Sequence, residues 1–354
     1  MRAAELIAPL TFRLTDMPIE DPGPGEVQVR VEAVGVCGSD LHAFTEGAVG
    51  STPNIYPMVL GHEPAGTIMK TGAGVTGLAA GDRGALEPAL YCYHCEFCLS
   101  GHHNVCANIR FLSNPHLPGF FRELVNLPIV NFLPIPAAMS FNEAALAEPL
   151  AIAMHSLRLA SIRPGETVAV LGAGPIGLLT IAALRATQAG RILAVEPLAH
   201  RRELALLMGA HAALEPGESV EEILSLTGQR GVDCAIDCAA GEHTTSQAIQ
   251  LTRNAGRVAL TGIHATPLVS MDGSAMRRKE LTIFNVRRSN HETGDALELI
   301  HAHADWFRPL LTHTRAIDRI DEAFAIASQY RDGVGKMIVT PSRHGYRRPK
   351  FARE

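Results

Sequence analysis

The chain has 354 residues, enough to bury a large core, and we expect it to fold as two domains. Its formal net charge of -5 is nearly balanced, and no Lys/Arg run is interleaved with aromatic residues, which argues against nucleic-acid and polybasic membrane partners. No apolar run is long enough to cross a bilayer, and the start of the chain lacks the apolar core of a signal peptide, so we expect a cytoplasmic protein.

Residues up to about 150 are rich in Gly and Pro and contain short runs of alternating apolar residues, for example 27–31. Turn signals at 22–25 (PGPG) and 72–74 (GAG) separate such runs. Alternation bounded by turns predicts an antiparallel β domain.

Near Arg163 the pattern changes to short apolar strands that alternate with helical stretches. The predicted strands include TVAVL, RILAVE, VDCAID and RVALTG, with helices between them. Strands separated by helices form βαβ units, which predicts a doubly wound parallel sheet. The last segment ends in KMIVTP, and we expect it to rejoin the first domain. The basic tail from His344 to Glu354 is expected to be a solvated terminus.

A glycine-rich motif follows the first strand of this second region and begins a long helix. It reads Gly172-Ala-Gly174-Pro175-Ile176-Gly177. Gly172 permits the tight turn, Gly174 lets the backbone approach a pyrophosphate, and Gly177 lets helix and strand pack closely. The helix N-terminus then offers free N–H groups to the phosphates, so the motif predicts a dinucleotide site.

An acidic residue after the next strand bears on which dinucleotide binds. Glu196 ends that strand, where a carboxylate accepts the ribose hydroxyls and repels a 2′-phosphate, so NAD is favoured. Arg201 and Arg202 follow closely, and an arginine there is also the residue that holds the phosphate of NADP.

Two groups of residues have the chemistry of metal ligands. Four cysteines, Cys92, Cys95, Cys98 and Cys106, lie close together, and in a reducing compartment such a cluster favours a metal site over disulfides. Four thiolates leave no open coordination position, so this site would be structural. Cys37, His62 and a carboxylate could form a second site that keeps a position for water or substrate. Taken singly, a cysteine in a glycine-rich loop such as Cys37, or a lone histidine such as His62, is more often a packed core residue than a metal ligand.

In combination, these motifs resemble one family along nearly the whole chain. The sequence is similar to the zinc-dependent medium-chain alcohol and polyol dehydrogenases, nearest the sorbitol (L-iditol) dehydrogenase branch. The resemblance is carried, in a single order, by CGSDLH, GHEPAGTI, GDRGALEP, the four-cysteine run, AEPLAIAMHSL, GAGPIG and GKMIVTP. It implies an α/β protein with a GroES-like antiparallel β catalytic domain (1–152), a Rossmann coenzyme domain (153–286) and a return segment of the catalytic domain (287–354).

The resemblance also implies residue roles. Cys37 and His62 would bind a catalytic zinc, Glu63 would be an alternating or supporting ligand, and Glu148 would be the third ligand, directly or through water. Zinc lowers the pKa of the bound alcohol. The hydroxyl of Ser39 would then take the substrate proton and pass it through the nicotinamide ribose to His42, while NAD accepts hydride. The four cysteines would hold a second, structural zinc.

For the substrate, the resemblance implies a polyol or sugar alcohol oxidised to a ketone. Arg287 would contact substrate hydroxyls, and Phe44 would line the pocket. Arg288 replaces an aromatic residue of sorbitol dehydrogenases; it would favour an acidic or phosphorylated polyol or would face solvent, and we expect solvent. The family suggests a homo-oligomer, a tetramer or a dimer.

Other functions remain open on the sequence. Relatives that oxidise threonine, aldoses or simple alcohols share the same motifs. A zinc-free double-bond reductase and a catalytically silent nucleotide sensor are further alternatives, which Cys37, His62 and Ser39 disfavour.

Overall fold

The first part of the chain forms antiparallel sheets joined by short helices. The computed structural model describes residues 1–114 and 116–342, so the basic tail from His344 lies outside it. The strands of this part are β1 (Arg2–Ala8), β2 (Thr11–Asp16), β3 (Glu26–Gly35), β4 (Ala48–Val49), β5 (Thr52–Pro53), β6 (Met58–Val59), β7 (Glu63–Thr71), β8 (Arg83–Leu86), β9 (Ala89–Leu90), β10 (Arg110–Phe111), β11 (Leu124–Pro128) and β12 (Phe132–Pro134). The helices are α1 (Gly38–Glu46), α2 (Glu96–Leu99), α3 (Phe141–Ala144) and α4 (Ala147–Ala160).

Strand β3 is the centre of this domain. It pairs antiparallel with β7 on one side and continues the sheet through β8 to β12, while β11 also pairs with it. Val27, Val29 and Val31 of β3 are fully buried. The valines alternate with Gln28 and Arg30, so they lie on one face of the strand, the face that packs on the core.

The second part is a parallel sheet with helices between its strands. Its elements are β13 (Thr167–Leu171), α5 (Pro175–Ala186), β14 (Arg191–Val195), α6 (Ala199–Met208), β15 (Ala212–Leu214), α7 (Ser219–Leu226), β16 (Val232–Asp237), α8 (Thr244–Leu251), β17 (Thr252–Leu260), α9 (Gly273–Lys279) and β18 (Thr282–Asn285). The spatial order is β15-β14-β13-β16-β17-β18, all parallel. Starting from β13, the chain adds β14 and β15 on one side of the sheet and then β16, β17 and β18 on the other side. In such folds, ligands bind in the crevice between the two central strands, here β13 and β16.

The last part of the chain returns to the first sheet. Its elements are α10 (Thr293–Ala302), α11 (Ala304–Phe307), β19 (His313–Ala316), α12 (Ile320–Ser328) and β20 (Met337–Thr340). Short 3-10 turns lie at His103–Val105, Ile129–Asn131, Arg308–Leu310 and Ile317–Arg319. β20 pairs antiparallel with β3, with Ile338 opposite Gly35. This pairing supports the boundaries 1–152, 153–286 and 287–354, which we retain as a proposal.

The predicted fold class is confirmed: an antiparallel β domain is combined with a doubly wound parallel α/β domain. Between residues 1 and 342, with residue 115 excepted, no helix has the length and apolar character needed to cross a bilayer.

Gly35 offers a test of how tightly β3, β7 and the return segment pack. A methyl group on Gly35 would lie 1.9 Å from Oε2 of Glu63 and 2.8 Å from Cε of Lys336. We therefore expect Gly35→Ala to lower the free energy of unfolding by about 1–3 kcal/mol, measured by urea denaturation. Gly294→Ala is the matched control, because a methyl group there meets nothing within 4 Å. Equal stability of the two variants would contradict the packing described.

Candidate active site and metal centres

Three potential metal ligands meet at the ends of β3 and β7. Cys37 is the N-cap residue of α1, just beyond β3, while His62 and Glu63 stand at the start of β7. One ligand atom from each of these residues lies within 4.8 Å of the other two. Cys37 is half-buried, and His62 and Glu63 are buried. A thiol, an imidazole and a carboxylate at this separation form a donor set that zinc accepts.

Asp40 orients this cluster. Its Oδ2 accepts a hydrogen bond from the main-chain N–H of Cys37 at 3.1 Å, and its Oδ1 accepts one from Gly61 at 3.1 Å. Oδ1 also lies 3.5 Å from Nδ1 of His62. Burial alone would lower the pKa of His62, but Asp40 and Cys37 raise it well above its ordinary value. The cluster therefore favours positive charge at this position, as a metal ion supplies.

A buried cation lies on the other side of Glu63. Lys336, which directly precedes β20, forms an ion pair with Glu63, and both side chains are 1% exposed. A buried charge is tolerated when it is paired, so Lys336 compensates Glu63 in the absence of a metal. The sequence analysis assigned roles to neither Asp40 nor Lys336. The sequence features that could have indicated their importance are that Asp40 lies in CGSDLH and Lys336 in GKMIVTP, each as a charged residue beside an apolar strand.

Glu148 is a buried carboxylate with unsatisfied bonding capacity. It lies in the first turn of α4, and its Oε2 has no hydrogen-bond partner among the described residues. Burial, with Glu63 and Glu87 nearby, raises the pKa of Glu148 to about 8, against the opposing effect of His62 and Lys336. A cation beside Oε2 would remove this penalty, so the residue fits a metal better than it fits an empty site.

The predicted proton path lies along α1. Ser39 and His42 are both half-buried and are three residues apart, which places them on one helix face. Nδ1 of His42 lies 2.7 Å from Oε1 of the exposed Glu46. One nitrogen of the imidazole is thus held by an exposed carboxylate at the surface of α1.

The two predicted substrate contacts, Phe44 and Arg287, lie in different environments. Phe44 is 4% exposed and lies in the core, where its ring is 5.5 Å from that of Phe12 and 5.1 Å from that of Phe324. It therefore lies on the face of α1 that packs against α12, and its burial there does not support a role in lining the substrate pocket. Arg287 is exposed, whereas Arg288 is half-buried, so the expectation that Arg288 faces solvent is wrong.

The four-cysteine lobe, residues 92–106, has the geometry of a closed metal site. Its sulfurs are free thiols with Sγ–Sγ distances of 3.4 Å for Cys92–Cys106 and 3.9 Å for Cys92–Cys98 and Cys95–Cys106. Four sulfurs at the zinc–sulfur bond length lie about 3.8 Å apart at the corners of a tetrahedron. A disulfide requires about 2.05 Å. The lobe therefore fits one zinc and not a disulfide pair.

The lobe is also attached to the segment that follows β18. Nδ2 of Asn104 donates to the carbonyl of Arg287 at 2.9 Å. Oδ1 of Asn290 accepts from the main-chain N–H of His103 at 3.0 Å, and Nδ2 of Asn290 donates to the carbonyl of Gly101 at 2.8 Å. These bonds fix the path of residues 287–290 against the lobe.

The glycine-rich turn has the steric properties that a pyrophosphate site needs. Gly172 has φ of 88°, and a methyl group on Gly177 would lie 1.8 Å from the carbonyl oxygen of Gly172. At Gly174, the N-cap of α5, only Nη1 of Arg201 lies within 4 Å of such a methyl group, at 3.7 Å. Pro175 and Ile176 begin the helix. Open space at a helix N-terminus beside a guanidinium suits a phosphate.

Glu196 and the two arginines have separate environments. Oε2 of Glu196 accepts from the N–H of Ala173 at 2.7 Å, which fixes the carboxylate beside the glycine-rich turn. Arg202 donates to the carbonyls of Glu196 and Pro197 and to the carboxylate of Glu215, so its guanidinium is occupied. Arg201 stacks on the ring of Tyr330 at 4.4 Å and is the arginine that faces Gly174.

A doubly wound sheet with this turn, next to a Cys–His–Glu cluster, is typical of metal-dependent, dinucleotide-linked oxidoreductases. Comparison with known families agrees. The family model described as Alcohol dehydrogenase GroES-like domain matches residues 23–137, and the model described as Zinc-binding dehydrogenase matches residues 175–302.

Individual relatives match almost the whole chain. Sorbitol dehydrogenase of Bacillus subtilis (strain 168) is 32% identical over 97% of this chain and 98% of the relative. L-Idonate 5-dehydrogenase of Vitis vinifera is 32% identical over 94% and 92% of the two chains. The chain belongs to the zinc-binding alcohol dehydrogenase family, which confirms the predicted family and the prediction of a dehydrogenase.

Solved structures give the same result. An alcohol dehydrogenase from Escherichia coli CFT073 complexed with NADH has a TM-score of 0.88 at 28% identity, covering 96% of this chain and 99% of that chain. A zinc-binding dehydrogenase from Sinorhizobium meliloti 1021 bound to NADP has 0.88 at 30%, with the same coverage. Galactitol-1-phosphate dehydrogenase of Escherichia coli has 0.86 at 26%, covering 96% and 100%.

The Glu63–Lys336 pair yields a double-mutant test. Lys336→Met leaves a buried carboxylate unpaired, and we expect it to cost about 3–5 kcal/mol of unfolding free energy in metal-free protein. Adding Glu63→Gln should recover a large part of this loss, measured by urea denaturation. The control is Lys70→Met at the exposed pair Lys70–Asp21, where we expect about 0–1 kcal/mol. Additive effects of the two site substitutions would show that the charges are not coupled.

Proposed function

We propose that the protein is a zinc-dependent dehydrogenase that transfers hydride between a secondary alcohol, a polyol or sugar alcohol, and NAD, giving the ketone. The observation that carries the proposal is the cluster of Cys37, His62 and Glu63, with the buried Glu148 near enough for His62 and Glu63 to affect its pKa. The relatives named for sorbitol and for L-idonate support a polyol substrate.

We assign the catalytic zinc to Cys37, His62 and Glu148. Both carboxylates have oxygens without a hydrogen-bond partner among the described residues, but Glu63 is compensated by the charge of Lys336, so Glu148 gains more from a cation. Glu63 then acts as a supporting or alternating ligand. When bound, zinc lowers the pKa of an alcohol and NAD accepts hydride.

The chain itself supplies the path for the proton. The hydroxyl of Ser39 accepts the proton of the substrate hydroxyl, and the imidazole of His42 receives it for release to solvent. His42 suits this role because its Nδ1 is held by Glu46 at the surface of α1. Asp40 keeps Cys37 and His62 in place through its main-chain and side-chain contacts.

A second zinc, bound by Cys92, Cys95, Cys98 and Cys106, has a structural role, because four thiolates leave no position for substrate. The sulfur separations support this assignment.

NAD is the proposed coenzyme in preference to NADP. Glu196 places a carboxylate beside the glycine-rich turn, where it would repel a 2′-phosphate, and Arg202 is occupied by other acceptors. The positions of Gly172, Gly174, Pro175, Ile176 and Gly177 support pyrophosphate binding at the start of α5, beside Arg201.

We extend the proposal to a cytoplasmic homo-oligomer, a dimer or tetramer. All seven cysteines are free, as is usual in a reducing compartment. β18 is an edge strand of the parallel sheet, and Ile263 and Leu268, between β17 and α9, are exposed apolar residues. An unpaired edge with apolar neighbours favours association.

The main test is an absorbance assay for NADH and NADPH over polyols, sugars, hydroxy-amino acids and simple alcohols, with zinc measured by mass spectrometry. We expect secondary polyols to be oxidised with NAD and the active protein to contain two zinc ions per chain. Cys37→Ala should retain one zinc and lose turnover, since a ligand is missing, whereas Cys234→Ala, a buried strand thiol, should retain both. Active protein without zinc, or full turnover by Cys37→Ala, would disprove the assignment.

Cys98→Ser tests the structural role of the lobe. It removes one of four thiolates, and we expect one zinc to be lost and the free energy of unfolding to fall by roughly 3 kcal/mol or more. For molecules that are folded and contain the catalytic zinc, we expect Cys98→Ser to lower turnover less than Cys37→Ala does. A variant of normal stability and zinc content that has lost turnover would contradict the structural role.

A further inference from the structure

Arg288 is a half-buried arginine beside the proposed catalytic centre whose charge is not used within the protein. Its Nη1 is buried without a hydrogen-bond partner among the described residues. Its guanidinium carbon lies 4.0 Å from the centre of the Phe111 ring, which is 5.6 Å from the ring of His62. A single aromatic ring therefore separates the guanidinium from a proposed zinc ligand.

The backbone holds Arg288 in this inward position. Its φ is 53°, in the left-handed region that is unfavourable for a residue with a side chain. The bonds of Asn104 to the carbonyl of Arg287, and of Asn290 to the lobe, fix the residues on either side. Arg287, the neighbour, is exposed as a consequence. A strained conformation maintained by surrounding contacts is a recognised feature of ligand-binding sites.

The nearby carboxylates do not neutralise Arg288. Oε2 of Glu87 accepts a hydrogen bond from the hydroxyl of Thr293 at 2.7 Å, and its Oε1 accepts one from the N–H of Ala89 at 3.4 Å. Burial raises the pKa of Glu87, which favours its neutral form. Glu148 is assigned to zinc. Burial lowers the pKa of Arg288, the charge of Arg287 adds to this effect, and Glu148 and Glu87 oppose it only in part.

We infer that Arg288 binds a negatively charged group, a carboxylate or a phosphate, carried by the polyol substrate. This inference rests on the proposed function and specifies its substrate class. The planar guanidinium offers two parallel N–H groups to such an anion, a geometry that lysine and neutral side chains do not reproduce. The zinc centre would act on a hydroxyl at one end of the molecule while Arg288 holds the anion at the other.

The experiment compares neutral and anionic partners of the same carbon skeleton. L-Iditol is paired with L-idonate, and galactitol with galactitol 1-phosphate, so that the carboxylate and phosphate arms are separate. For the wild type we expect a higher kcat/KM with at least one anion than with its neutral partner. Arg288→Gln should lower kcat/KM for that anion by about 10- to 100-fold and leave the neutral polyol nearly unchanged. Arg288→Lys should restore only part of the loss.

Arg278→Gln is the control, because it removes an exposed arginine of α9 to which no role in the site is assigned, and we expect no change in selectivity. Thermal unfolding of each variant separates misfolding from loss of anion binding. If Arg288→Gln leaves the ratio of kcat/KM for the anion to kcat/KM for its neutral partner unchanged, the inference is overturned. If no alcohol is oxidised, the proposed function fails on its own. Calorimetric titration of zinc-loaded protein and NAD with L-idonate and with galactitol 1-phosphate then tests Arg288 directly, and equal affinity for wild type and Arg288→Gln counts against it.

Discussion

The pairing of β3 with strands on both sides is the constraint on which the site depends. β7 places Glu63 opposite Gly35 on one side, and β20 places Ile338 opposite the same residue on the other. Because Gly35 has no side chain, Glu63 and Lys336 approach each other over it. Cys37 follows β3 directly, so three segments distant in sequence deliver their functional groups to one point. The return of the chain to the first sheet is thus a requirement of the site as well as of the fold.

The charges around this point explain why a metal suits it. Several carboxylates are buried there, and each has a different form of compensation. Glu63 is paired with Lys336, Asp40 accepts main-chain hydrogen bonds, and Glu148 has an oxygen without a hydrogen-bond partner among the described residues and no such paired lysine. In a low-dielectric interior an uncompensated carboxylate is either protonated or bound to a cation. The raised pKa of Glu148 shows that, without a cation, protonation is favoured. The division of roles between Glu63 and Glu148 therefore follows from which of them already has a counter-charge.

The sequence predicted the features that local sterics and chemistry fix. The glycine-rich turn requires its glycines whatever surrounds them, and four closely spaced thiols predict a metal site without knowledge of the fold. It did not predict features that depend on how distant segments meet. Lys336 acquires its role only through the β20–β3 pairing, and Phe44 is buried because α12 packs on its face of α1. Arg288 rather than Arg287 is the half-buried arginine, and this depends on the left-handed backbone conformation of Arg288, which a single sequence does not reveal.

The four-cysteine lobe connects stability with specificity. Through Asn104 and Asn290 it holds the segment in which Arg288 adopts its strained conformation. A strained residue persists only if neighbouring contacts fix it more strongly than the strain disfavours it. A closed zinc site provides such rigidity, because its four ligands come from one short loop and are fixed by the same ion. In the proposed enzyme the lobe takes no part in the reaction, but its hydrogen bonds to residues 287–290 fix the position of the guanidinium that we propose to bind the substrate's charged group.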